Sequence, residues 1–319
     1  IDGTQGWVNV LDSTSNVRAN PYLVATGGTP CTGAICGDYK THIFTGPGTF
    51  CVSATGACAP NNVVDYLVVA GGGGSTINGG GAGAGGFRTF SSLPGSNSPL
   101  NAPAGVTVSV QGYPITVGSG GTNGAPGGWP SVAPSPPGTN SIFDTITSTG
   151  GGGNNAAGTC SGNGKPGGSG GGGGYACGAA GSGNTPTVSP AQGFPGGAGQ
   201  ASPGPHFAGG GGASAVGNGG ASPNAGGDGS FIQTGFIGPT APSYGEAGPA
   251  GRYFAGGGGG SNQTPSSPYP AADVAGGLGG GGNGPQVPES VGNNGTVNTG
   301  GGAGTGNGGG SPGGAGGGS

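Results

Sequence analysis

Few side chains in this sequence could do chemistry, and their spacing limits what kind. The histidines are His42 and His206. His42 sits in an alternating run beside Asp38 and Lys40, the setting of an ordinary strand histidine, and His206, between Pro205 and Phe207, reads as a loop residue. The nine acids (Asp2, Asp12, Asp38, Asp65, Asp144, Asp228, Glu246, Asp273 and Glu289) show no paired spacing. Neither a glycosidase carboxylate pair nor a calcium loop is therefore indicated. Lys165 follows Gly164 but precedes Pro166, which breaks the GxxxxGK[ST] pattern of a phosphate loop. With 93 glycines among 319 residues, a chance GxGxxG carries no information. No convergent acid, base and nucleophile emerges, so the expectation is a protein that is not an enzyme, with no cofactor and no metal.

The six cysteines fall as Cys31/Cys36, Cys51/Cys58 and Cys160/Cys177. Metal coordination would call for CxxC pairs with histidine partners, and no CxxC occurs. The spacing favours three local disulfides over metal ligation or free thiols, two closing tight loops and one stapling the glycine-rich region. Disulfides imply an oxidising, extracellular setting. Asn262-Gln-Thr264 and Asn294-Gly-Thr296 fit the glycosylation acceptor pattern, a match near chance in a chain this rich in Asn and Thr.

Composition sets the wider frame. The chain has 29 prolines and only 5 basic and 9 acidic residues, whereas an average domain is about 7% Gly and about 25% charged. Disorder normally accompanies high net charge and few β-branched residues. Here the net charge is −4, and Val, Ile, Phe and Tyr gather in strand-like runs. The basic residues Arg18, Lys40, Arg88, Lys165 and Arg252 are too thinly spread for nucleic acid. No run of 18 apolar residues predicts a membrane span. The sequence begins at Ile1 without an initiator Met, from which a processed chain, or the ordered part of a longer one, is expected.

The elements that could position anything are strands. Trp7-Val8-Asn9-Val10-Leu11 alternates Trp7, Asn9 and Leu11 on one side with Val8 and Val10 on the other. It is either the first strand of its own sandwich or a projecting strand that pairs with a neighbouring subunit. Strands are predicted at 22–26 and 39–45, the latter turning at Gly46-Pro47-Gly48 into a hairpin with 49–52. The run Val63–Ala70 reads as buried on both faces or nearly so. Further strands follow at 87–90, 106–110, 113–117 and 142–147, the spacing of an antiparallel sandwich. Beyond residue 150 almost no strand is expected, apart from Phe231-Ile232 and Phe236-Ile237.

That second half carries glycine runs next to aromatic or aliphatic residues, such as Phe207-Ala208 and Phe254-Ala255. Consecutive glycine excludes collagen, which needs glycine at every third position. The choice lies between a flexible tail and a bundle of extended threefold glycine helices pairing N–H with C=O between neighbours. Ordering glycine is costly, so Phe207, Phe254, Tyr253, Tyr175 and a Cys160–Cys177 bridge are expected as anchors.

The ordered motifs from Ala25 onward (ATGGT, GDYKTHIFTGPGTFCV, VDYLVVAGGGG, GAGGFRTF, VTVSVQGYPITVGSGG and NSIFDTITSTGGGG) resemble a glycine-rich domain of bacteriophage tail-fibre, adhesin and secreted bacterial proteins. The resemblance covers about residues 25–155 and implies a sandwich with polyglycine-helix loops and no catalytic residues. The chain also resembles pilus-like fibril subunits that polymerise by donor-strand exchange, with Trp7–Leu11 as the implied donor. The predicted fold is mainly β, an antiparallel Ig-like β-sandwich with a region of polyglycine-II-type helices or extended loops and essentially no α-helix. Its predicted parts are an N-terminal extension over 1–20, the sandwich over 21–149 and a glycine-rich domain over 150–319. The expected role is an extracellular structural subunit whose partners are copies of itself. The alternative is a tail-fibre adhesin that binds a cell-surface glycan or receptor.

Overall fold

Alternating side chains build a sandwich from very short strands. The computed structural model describes residues 22–56, 62–95, 97–124, 134–155, 162–175, 178–200, 206–219, 224–262, 274–285, 290–306 and 313–318. One layer is a five-stranded antiparallel sheet. In spatial order it runs Val24–Thr26 (β1), Gly48–Ala54 (β4), Gly112–Thr116 (β9), Ser141–Phe143 (β10) and Ile146–Ser148 (β11). A hairpin of Ala34–Cys36 (β2) and Tyr39–Thr41 (β3) stands apart from it. The facing layer consists of two pairs. Val63–Val64 (β5) pairs with Val106–Thr107 (β8), and Tyr66–Val69 (β6) pairs with Phe87–Phe90 (β7). Phe50 and Val52 from β4, Tyr113 from β9, and Tyr66 and Val68 from β6 close the core between the layers. Phe50, Tyr113 and Phe143 pack there as tilted and edge-on rings, 6.1–6.5 Å apart, the arrangement that aromatic quadrupoles prefer.

Three local expectations are corrected. The hairpin predicted between 39–45 and 49–52 does not form: β3 pairs back onto β2, through a turn in which Gly37 has φ 58°, and β4 lies between β1 and β9. The tighter turn lies nearer in sequence, and the pattern of β4 sends Phe50 and Val52 inward. The strand predicted over 142–147 is broken at Asp144, whose φ of 52° is a left-handed conformation that Asp tolerates. Phe236 and Ile237 fall in a single helical turn, Thr234–Ile237, that delivers Ile237 to a buried apolar cluster.

Strands also occur beyond 150. His206–Phe207 (β12) pairs with Ser261–Asn262 (β16). Ser230–Ile232 (β13), Glu246–Gly248 (β14) and Gly251–Phe254 (β15) form a sheet in the order β13-β15-β14.

The glycine tracts form a lattice with a period of three. Ala70 and Gly73 donate N–H bonds to Gly86 and Gly83; Gly71 and Gly74 donate to Thr139 and Pro136; Gly72 and Ser75 donate to Gly317 and Gly314. Every third residue thus meets the same neighbour, the repeat of a polyglycine II helix. The carbonyls repeat the pattern: Gly72 and Ser75 accept from Gly121 and Gly124, Gly73 from Ala303, and Gly71 from Gly151. Segment 70–76 therefore has neighbours on all sides, at 80–86, 118–124, 134–140, 149–154, 300–306 and 313–318. Its packing leaves no space for side chains, since a Cβ at Gly72 would lie 2.0 Å from the Gly301 carbonyl oxygen. Ala82 and Ala303, both fully buried, mark sites where one methyl fits.

This lattice joins both halves of the sequence, so the glycine loops of the first half lie within the bundle that the second half completes. The predicted anchors Phe207 and Phe254 are buried, Tyr175 lies 6.2 Å from Phe207, and Tyr253 lies 5.6 Å from Phe231. The pairing also fixes polarity. Strands β6, β7, β9, β10 and β11 join the bundle at one end, and the connections after 124, 155, 175, 200, 219, 262, 285 and 306 leave from the other.

Candidate strand-accepting groove

A largely apolar groove of about 810 Å³ runs along β5 and β6. Strand β6 is apolar on both faces. Tyr66 and Val68 belong to the sandwich core, whereas Val69 belongs to a second cluster with Phe87, Ile232, Ile237 and Phe254, against which Leu67 packs. Burial pushes the Tyr66 phenol pKa up, and the Arg88 charge opposes part of that shift.

The pairing leaves one edge of this strand open. Phe87 donates its N–H to Gln192 and Thr89 accepts from Ala102, both away from β6. Facing residues of an antiparallel ladder point their main-chain groups the same way relative to the pair, inward or outward. Leu67 and Val69, which face Thr89 and Phe87, therefore turn their N–H and C=O groups away from β7, and Asp65 continues the alternation. Among the described residues no strand pairs with that edge. The same holds for the outer edge of β1 in the opposite layer.

The walls come from distant parts of the chain. Phe44, Ile115 and Phe143 line the sandwich side, and Ile43, Phe236 and Tyr244 the other. The second wall is not wholly apolar: Thr41 Oγ1 donates to the Phe236 carbonyl at 3.1 Å, and Asn298 also lines the groove. The rim is apolar as well. Tyr22, Ile35, Tyr39 and Val63 are exposed there, whereas the other large apolar side chains exposed among the described residues are Val110, Val216, Val291 and Val297. Half of the exposed apolar bulk thus surrounds one groove, the pattern of an interaction surface.

The polar residues do structural work, His42 and Asp65 at the groove and the others away from it. His42 Nδ1 lies 2.8 Å from the Gly27 carbonyl oxygen, and His206 pairs across a bridge with Gln200. Asp65 accepts from the Ser92 N–H and hydroxyl, Asp228 from Leu278 N, and Glu246 from Gly279 N and Gly280 N. These three acids thus hold backbone amides in place. Among the described residues no three His, Cys, Asp or Glu side chains gather as a metal site, and no helix is long and apolar enough to cross a membrane.

The other predicted sites separate clearly. Cys31, Cys36 and Cys51 are exposed free thiols, so the expected Cys31–Cys36 bridge is not formed. Cys36 ends β2 with its Cβ against Gly238, and Cys51 alternates with the inward Phe50 and Val52 and so faces outward. Cys58, Cys160 and Cys177 lie outside the described residues, as do Trp7, Val8, Asn9, Val10 and Leu11. Asn294 is exposed, its Oδ1 accepting from Ala315 N at 2.8 Å, while Asn262 lies in β16. The sequence reading missed the groove itself. Its available signal was Val63–Ala70, a run apolar on both faces, which requires cover on two sides.

A glycine-rich domain family model matches residues 45–319. The chain belongs to that family. The match takes in β4, the groove strand β6 and the whole lattice, and the family description names no tail-fibre or pilus role. No curated protein and no solved structure matches the chain.

Proposed function

We propose that this glycine-rich domain protein is a structural subunit of an extracellular fibre and not an enzyme, assembled when a neighbouring copy inserts its N-terminal strand into the groove. The observation that carries this reading is the open edge of β6, apolar on both faces and rimmed by exposed apolar side chains. Added strands gain main-chain hydrogen bonds from such an edge, and pockets for alternate side chains give selectivity. The occupant must itself be apolar on both faces. Outside the described residues, Trp7–Leu11 has that pattern without proline or glycine, whereas the segments at 125–133, 201–205, 220–223 and 263–273 all contain proline. The polymer's partners are then copies of itself, and its body is the glycine lattice.

The test is a chain lacking residues 1–12, imaged by negative-stain electron microscopy. Filaments from the full chain and none from the shortened one are expected. Normal filaments from the shortened chain would sink the proposal.

A second reading, a tail-fibre adhesin that binds a surface glycan or receptor, is favoured by the eight connections that leave the lattice at the end away from the sandwich. It predicts binding of the monomeric chain to cells or glycan without self-assembly.

A further inference from the structure

Copies of one chain are identical, so a strand that fits a neighbour's groove also fits the groove of its own chain. Whether it gets there depends on the tether. Resting on the reading above, we infer that the isolated subunit holds its own Trp7–Leu11 strand in its own groove, and that the fibre forms by exchanging it for a neighbour's.

The tether starts at the groove itself. Tyr22, the first described residue, lines it together with Val63, Val64 and Asp65. From residue 11 to residue 22 there are eleven steps along the chain. Eleven residues reach about 36–40 Å when extended and have an r.m.s. span of about 17–20 Å as a coil. The open edge turns main-chain groups outward at Val63, Asp65, Leu67 and Val69. At about 3.4 Å per residue it is roughly 20 Å long. The tether therefore reaches any part of the edge, and its sequence from Asp12 to Pro21 is largely polar, suited to run through water.

Concentration favours the chain's own strand. A tether whose r.m.s. length matches the span holds its strand at an effective concentration on the order of 1 mM. A neighbour's strand in a micromolar solution is about a thousandfold more dilute. The own strand thus keeps the groove until neighbours gain contacts that the monomer lacks. The exposed rim of Tyr22, Ile35, Tyr39 and Val63 is the surface for such contacts. Self-occupation also removes the groove's apolar lining from water before assembly.

A fluorescent peptide of residues 1–12, mixed with chromatographically isolated monomer and followed by anisotropy, tests this. The chain lacking residues 1–12 should bind it. The full chain should bind it at least about tenfold more weakly, because only the fraction of grooves left open is competent. Dilution should not relieve that weakening, since a chain's own strand is not diluted. The full chain carrying Val8→Asp and Leu11→Asp should bind like the shortened chain. These two residues lie on opposite faces of the strand, so insertion buries a charge whichever way the strand sits. This variant stands in for the shortened chain should circular dichroism show the latter unfolded. Equal binding by the full and shortened chains overturns self-occupation and leaves insertion between copies standing. So does a weakening that dilution removes or that the two aspartates do not. No binding to any of the three chains overturns strand insertion itself, and this inference with it.

Discussion

Replacing Gly72 by alanine tests the claim that the glycine lattice is a packed interior. Gly72 donates to Gly317 at 2.9 Å and accepts from Gly121 at 2.8 Å. Its added methyl would stand 2.0 Å from the Gly301 carbonyl oxygen and 2.5 Å from that carbonyl carbon. Ordinary contact begins near 3.4 Å, so one segment must shift by well over an ångström. The obstacle is backbone, and it cannot rotate aside. Such a shift breaks the bonds of Gly72 and strains the one from Gly317 to Gly301, itself 2.8 Å long. Losing two or three such bonds, with a buried group left unpaired, costs roughly 3–6 kcal/mol at about 1 kcal/mol per bond and about 1–3 kcal/mol per orphaned group. That is a large part of the roughly 5–15 kcal/mol by which a domain is stable. The assay is guanidinium unfolding followed by circular dichroism, with Gly46→Ala as the control. Nothing lies within 4 Å of a Cβ at Gly46, and that variant should stay within about 0.5 kcal/mol of the parent. Equal midpoints for Gly72→Ala and the parent would refute a close-packed lattice.

Other outcomes follow from the same geometry. Phe87→Ala removes a fully buried ring from the second cluster and should lower stability by about 3–5 kcal/mol in the same unfolding assay. Glu246→Ala frees Gly279 N and Gly280 N, which the carboxylate holds at 2.8 and 2.9 Å, and should cost about 1–3 kcal/mol, with Glu246→Gln losing less. Burial holds the Lys165 ammonium below its ordinary pKa of 10.5, so in the alkaline range below 10.5 the unfolded chain binds more protons at this site. Stability contributed by Lys165 should therefore rise with pH across that range, and Lys165→Met should abolish the rise in unfolding midpoint.

Much of this protein could be read from residue types alone. The small number of charges, the unpaired spacing of the acids and the broken phosphate loop are visible without reference to any fold. Short alternating runs located β1, β7 and β9 to within a few residues, because period-two burial is a local property. The two-sided apolar run at 63–70 announced a strand needing cover on both faces. Phe207 and Phe254 were identifiable as anchors because each opens a glycine run.

What sequence could not supply was pairing. The choice between β3 joining β2 and β3 joining β4 rests on a turn at Gly37 and on which side chains the core receives. The turn at Gly46-Pro47-Gly48 looked equally capable. The fates of Cys31 and Cys36 were likewise settled by tertiary packing, with Cys36 placed against Gly238. The lattice shows the limit most clearly. Glycine runs are nearly identical to one another, and nothing local says that 70–76 should lie among 80–86, 118–124, 300–306 and 313–318. Sequence determined that these tracts carry almost no side chains and can therefore approach closely. Only the tertiary structure decided that they do approach, since the hydrogen bonds that offset the cost of ordering glycine exist only between segments. The open edge of β6 has the same origin: its apolar faces are written in the sequence, and only the tertiary pairing shows that no strand among the described residues covers it.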